Sequence, residues 1–252
     1  MPSTITEVIA AQVDIIREAI RTKSRIGYFA SLYMHMTHAL RDGTASAASA
    51  QTFRDGVRMQ RLCTLFAARY LDALRQWQAG EPTSRSWEVA FEETRRNNIT
   101  VIQHLLCGIN AHINLDLAIA AAETCKDEDI HTLKNDFDTI NTIIATLTNT
   151  MKRKLHKLSW PMKMLDDVGQ NYDDDIAHFS ICTARDEAWR CAVEMHGMDD
   201  AHRVTYIGAL DERTACLAER IINPGFYPNI LLKSIKAFEP SNPAAIIVVL
   251  RT

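Results

Sequence analysis

The sequence predicts an all-α protein, a single-domain bundle of about eight helices around a central buried polar helix. Three observations carry this. Only nine glycines and seven prolines interrupt 252 residues. Apolar residues recur mainly at three- and four-residue spacing, the period of an amphipathic helix. At 47% hydrophobic content the chain is also long enough to bury a large core.

The elements follow in order. The first helix opens with Thr4 and Glu7 in capping-box spacing and carries Ile5, Val8, Ile9, Val13 and Ile16 on one side. A second is expected from about Ser24 to Arg41, stopped by Asp42-Gly43 and followed by the small-residue loop Thr44 to Ala50. A third takes Phe53, Val57, Leu62, Phe66, Tyr70, Ala73 and Trp77 to Gly80-Glu81-Pro82. The next starts near Ser86 and continues or kinks into a central segment ending around Cys125. From Glu128 to Leu158, Leu133, Phe137, Ile140, Ile144, Leu147, Met151 and Leu155 stand at helical spacing until Trp160-Pro161. The irregular stretch SWPMKMLDDVGQNY suits a lid or crossing loop. Helices are then expected over Asp173 to His196, Asp199 to Ile222 and Asn229 to Phe238. The tail AAIIVVLRT after Pro243 is β-branched and apolar, and reads as an extended segment packed on the body or as a strand meeting a second copy in a homodimer. Residues 1–252 thus form one domain, with the helix of 1–22 and the tail of 240–252 peripheral.

Charge and cysteine usage narrow the functional classes. Net charge is -3 and the basic residues are dispersed. The densest group, MKRKLHK at Met151 to Lys157, ends a helix, where cations complement the carbonyl end of its dipole. No nucleic-acid or membrane partner is therefore expected. The six cysteines, Cys63, Cys107, Cys125, Cys182, Cys191 and Cys216, form no CxxC and read as free thiols of a reducing, cytoplasmic protein. The N-terminus carries acidic residues inside its apolar pattern, unlike a signal peptide.

The chemistry concentrates in QHLLCGINAHINLDL, Gln103 to Leu117. His104, Gly108, His112 and Asp116 are each four residues from the next and share one side of a helix. His112 and Asp116 can meet, as a carboxylate fixing an imidazole tautomer or as two ligands of one metal ion. Gln103, Asn110 and Asn114 form a second polar stripe around Cys107. Such buried amides and imidazoles either form a site or bond the carbonyls of neighbouring helix ends. Gly108, Ala111 and Ala118 leave room for a backbone or a ligand.

Secondary candidates are His35 and His38 on YMHMTHAL, Asp136 with Asp138 and Asn141 in DFDTIN, and Arg185 with Trp189, which suit an anionic substrate or a packed surface pair. Arg58, Arg61 and Arg69 read as a solvated or ion-paired face. HExxH, paired ExxH, GxSxG, a phosphate-binding glycine loop and a dinucleotide fingerprint do not occur. A zinc or iron site would need His112, Asp116, His104 and a residue of another helix.

The segment GINAHINLDLA, Gly108 to Ala118, resembles the hallmark of an uncharacterised, mostly bacterial and partly fungal helical family of unknown function. Phe29, Tyr33 and Thr37, FAARY at Phe66 to Tyr70, SWEVAF at Ser86 to Phe91, DFDTIN at Asp136 to Asn141 and ARDEAW at Ala184 to Trp189 resemble its pattern too. The resemblance spans roughly residues 25 to 220 and leaves out the N-terminal helix and the tail. It implies one helical domain focused on the central segment, and no reaction.

The expected function is that of an enzyme acting on a largely apolar small molecule by cofactor-free acid–base chemistry, as an isomerase, cyclase, lyase or hydrolase of secondary metabolism. His112 would be the acid or base, Asp116 its orienter, Asn110 and Asn114 the holders of a carbonyl or oxyanion, and His104 a second proton carrier. A zinc- or iron-dependent hydrolase or oxidase and a non-catalytic binding protein are the alternatives. What separates them is whether His112 faces a cavity or has both nitrogens satisfied by protein groups.

Overall fold

A computed structural model of the chain describes residues 2–45, 53–159 and 172–252. All regular structure among them is helical. α1 (Ile5–Thr22) is capped by the Thr4 hydroxyl on the Glu7 N–H, and ends at Lys23 in the left-handed region. α2 (Ile26–Ala45) runs past Asp42-Gly43, so that pair does not stop it. The expected small-residue loop falls mostly outside the described residues. α3 (Gly56–Ala79) begins after Phe53, with Asp55 as its N-cap, and stops at Gly80, whose positive φ suits glycine.

α4 (Arg85–Glu93) does not continue into the central helix. Residues 94–100 separate them, and Thr100 with Gln103 forms a capping box that starts α5 (Val101–Ala111) afresh. α5 passes through a π-helical turn, His112–Leu117, into α6 (Ala118–Thr124). A 3₁₀ turn (Ile130–Leu133) leads to α7 (Lys134–Leu158). α8 (Tyr172–His196), α9 (Asp200–Ile222) and α10 (Phe226–Phe238) complete the body. The irregular stretch expected to be a lid lies largely outside the described residues.

The tail is neither an extended segment nor a strand. It forms a helix, α11 (Pro243–Arg251), with Asn242 as N-cap and Pro243 at the first position. β-branched residues lower helix propensity by only a few tenths of a kcal/mol each. Burying Ile246, Ile247 and Leu250 along one face outweighs that. Gly27 makes the fit possible, because a Cβ there would sit 2.5 Å from Ile247 Cδ1 and 2.8 Å from Ala19 Cβ.

The helix running through α5, the π turn and α6 is the axis of the bundle, contacted by α2, α3, α4, α8 and α9. Three apolar clusters surround it. One joins α3, α6, α7 and α8 around Phe137, Leu115 and Met195. A second collects Phe29, Tyr33, Tyr70, Trp87 and Phe91. The third gathers α1, α2, α5, α7 and α11 around Tyr28, Leu105 and Ile247. Val101–Thr124 is long and apolar enough to cross a membrane by length and composition, but 78% of its most apolar window is buried in the protein, as befits a core helix.

Candidate functional site

His112 and Asp116 meet at the π turn, where His112 Nδ1 lies 3.0 Å from Asp116 Oδ2. A carboxylate only accepts, so Nδ1–H is the donor and the proton-free Nε2 lone pair is left to face its surroundings. Asp116 is fixed by two more donors. Trp87 Nε1–H reaches Oδ2 at 2.8 Å, and Arg69 Nε–H reaches Oδ1 at 2.9 Å. Both Asp116 and His112 are buried.

Arg69 reads from the sequence as part of a solvated or ion-paired face. Helical periodicity does not point to Arg69 and Trp87 as partners of Asp116, although both lie in the family-like segments FAARY and SWEVAF. Each lies far along the chain from Asp116, 47 and 29 residues away, and no periodicity within a single helix links them.

An aromatic cage encloses the imidazole. Phe66 stacks on it with centroids 3.6 Å apart and planes 8° from parallel, and Tyr33 meets it edge-on at 4.4 Å. Phe29, Trp87 and Tyr70 stand further out, at 5.8, 5.9 and 6.2 Å. Nε2 is buried with no hydrogen-bond partner. Burial holds the imidazole pKa below its ordinary value, and the bond to Asp116 opposes this only in part. The neutral imidazole thus has a fixed tautomer and a bare Nε2 lone pair in an apolar setting.

His104 does not join this pair. Its ring is buried, both nitrogens lack partners, and Tyr28 meets it edge-on at 5.6 Å. Burial, with help from the Lys236 and Arg25 charges, pushes its pKa down to about 3. Phe29 lies over Gly108, between the two histidines along the helix; a Cβ on Gly108 would be 2.5 Å from the Phe29 ring. On the His104 side is a cavity of about 20 Å³, lined among others by Arg25, Phe29, Tyr70, Trp87 and His104. His112 is not among its lining residues.

The amide stripe ties helices together. Asn110 Nδ2 donates to the Thr214 carbonyl at 2.8 Å, and Asn114 Nδ2 to Asn110 Oδ1 at 2.8 Å. Gln103 Nε2 donates to the carbonyls of Ile221 and Ile222. Asn110 is two residues from His112, about 200° around the helix, so the stripe faces α9 and not the imidazole. The oxyanion-holding role expected of Asn110 and Asn114 has no geometry to support it.

The remaining candidates are dispersed. His35 Nε2 lies 2.9 Å from the Leu250 carbonyl and 2.6 Å from Lys154 Nζ, at the end of α11. His38 is half-buried on the same helix. Asp136 accepts from the backbone N–H groups of Arg54 and Asp55 and so anchors the start of α3. Arg185 is buried over the Phe137 ring, 4.4 Å from its centroid, instead of stacking on Trp189, and donates to Asn141 Oδ1 and the Phe137 carbonyl. Burial lowers its pKa to about 10.

Among the described residues no three His, Cys, Asp or Glu side chains converge as metal ligands, so the set His112, Asp116 and His104 is not assembled. Both Asp116 oxygens already accept hydrogen bonds from protein donors. The six cysteines form no disulfide among the described residues, and burial pushes Cys63 and Cys107 up to about 12, away from nucleophilic thiolate character.

A family model described as "Family of unknown function (DUF5995)" matches residues 5–224. The match includes α1, which the sequence resemblance had left out, and ends before α10 and α11. No curated protein and no solved structure matches the chain.

Proposed function

The chain belongs to this family of unknown function, and from the geometry at the π turn we propose that it is an enzyme using His112 as a general base on a largely apolar small molecule, without an organic cofactor. One observation carries the reading. His112 has one nitrogen bound by a triply held carboxylate and the other buried without a partner. An unsatisfied buried polar atom costs roughly 1–3 kcal/mol, so its retention suits a group kept for proton transfer.

The π turn adds support, since such interruptions occur frequently at functional sites. The aromatic cage favours an apolar substrate body. Asp116 would orient the imidazole and stabilise it once protonated; Arg69 and Trp87 would keep Asp116 in place. Abstraction of a proton next to a carbonyl fits this set, with isomerisation, cyclisation or elimination as the outcome. Because Nε2 is buried inside the aromatic cage, substrate would reach it only through a rearrangement of the rings around it.

A structural role for the dyad is the second reading, and the close stacking of Phe66 favours it, because that ring already fills one face of the imidazole. NMR distinguishes the two. Apolar carbonyl compounds that shift the His112 ring nitrogens and take up deuterium at their α-carbons with the wild type, but not with His112→Gln, support the enzyme. Ring signals unmoved across the panel, together with strong destabilisation by His112→Gln, support the structural role.

A further inference from the structure

We propose that the cavity between the start of α2, the end of α4 and α5 is a binding pocket for a carboxylate group. Two buried polar side chains that line it have no partner. His104 has neither ring nitrogen satisfied, and the Tyr70 hydroxyl makes no hydrogen bond. His104 is 6% exposed and Tyr70 1%. Leaving such groups bare in the interior is costly, and an occupant that accepts from the Tyr70 O–H and from the one N–H of His104 relieves part of that cost.

Charge favours an anion. Arg25 lines the same cavity, forms no ion pair among the described residues, and spends Nη1 on a long 3.3 Å bond to the Thr94 carbonyl. The charges acting on His104 are both cations, Arg25 and Lys236. The nearby carboxylates are committed or set apart. Glu239 accepts from the Val101 N–H and Lys236, while Glu93 pairs with Arg96 through Oε1, keeps a buried Oε2 without a hydrogen-bond partner, and does not line the cavity. Neutral His104 supplies one N–H, Tyr70 one O–H, and the Arg25 guanidinium a planar fork suited to carboxylate.

Size sets how the ligand sits. About 20 Å³ is little more than the roughly 10–15 Å³ one water needs, so the cavity has room for a small headgroup at most, and the rest of a larger ligand stays outside. Arg25, Ile26 and Thr94 are half-buried, so this side of the cavity meets the surface. The occupant is a free small carboxylate or the carboxylate end of an apolar acid. The proposal does not depend on the His112 reading.

Calorimetric titration of the full chain with formate, acetate, benzoate and octanoate tests it, with the His104 ring nitrogens followed by NMR. Saturable binding that shifts the His104 signals is expected, weakened about tenfold or more by Arg25→Gln and by Tyr70→Phe. Tighter binding of octanoate or benzoate than of acetate identifies an apolar acid; the reverse order identifies a small free carboxylate. Both substitutions are mild for the fold, since Arg25 is half-buried and Phe keeps the Tyr70 ring. Absence of saturable binding to the folded wild type, or equal binding by all variants, overturns the proposal and leaves the cavity to water.

Discussion

Replacing Asp116 by Asn tests the network at its centre. Asp116 accepts from Trp87 and His112 on Oδ2 and from Arg69 on Oδ1. An amide has one accepting oxygen, so a donor always faces its NH₂ group. With the oxygen towards Arg69, the amide would oppose the buried Trp87 N–H. With the oxygen towards Trp87 and His112, it opposes Arg69, whose side chain is 34% exposed and can turn to water. The second arrangement costs less. Hydrogen bonds to a charged group are worth about 1.5–3 kcal/mol each, and the Arg69 share is discounted for solvent screening. A loss of about 2–4 kcal/mol is therefore expected in urea unfolding. His112 keeps its Nδ1–H tautomer, readable from its ring ¹⁵N shifts. A loss below about 1 kcal/mol, or an Nε2–H tautomer in the wild type, would refute the reasoning.

Three further outcomes follow from named contacts. Gly108→Ala drives a Cβ into Phe29 at 2.5 Å; overpacking of about 1–3 kcal/mol outweighs the roughly 1 kcal/mol gained in helix propensity, and near-ultraviolet circular dichroism should change with the displaced ring. Asp136→Ala removes the acceptor of the Arg54 and Asp55 N–H groups, at a cost of about 2–4 kcal/mol in chemical unfolding. His104 has its folded pKa depressed to about 3, so the unfolded chain binds the proton first. Its contribution is complete above the ordinary value of about 6.5 and is lost as pH falls towards 3, at up to about 1.4 kcal/mol per pH unit. Replacing His104 by Leu should flatten that acid limb of the stability curve, and an unchanged limb would show that the ring is not neutral in the folded protein.

Much of the fold could be read from local pattern. The caps at Thr4 and Gly80 and the apolar periods of α1, α3, α7 and α9 act within a few residues, so neighbours in sequence specify them. The break before α5 was harder to see, because Val101 and Ile102 continue the apolar pattern while the capping box at Thr100 and Gln103 stops it. α11 was misread because β-branched composition suggests a strand, whereas the space opened by Gly27 belongs to another helix.

The sequence by itself determined that the chain is helical and that His112 and Asp116 share a helix face, since four-residue spacing brings them within reach in any helix. Tertiary structure alone decided what that pair means. It brought Arg69 and Trp87 to Asp116 and set Phe66 on the imidazole. It turned Asn110 towards Thr214 and placed Phe29 on Gly108, between the two histidines. Those contacts join helices far apart in sequence, and their formation depends on how the helices pack, which no single helix's periodicity records.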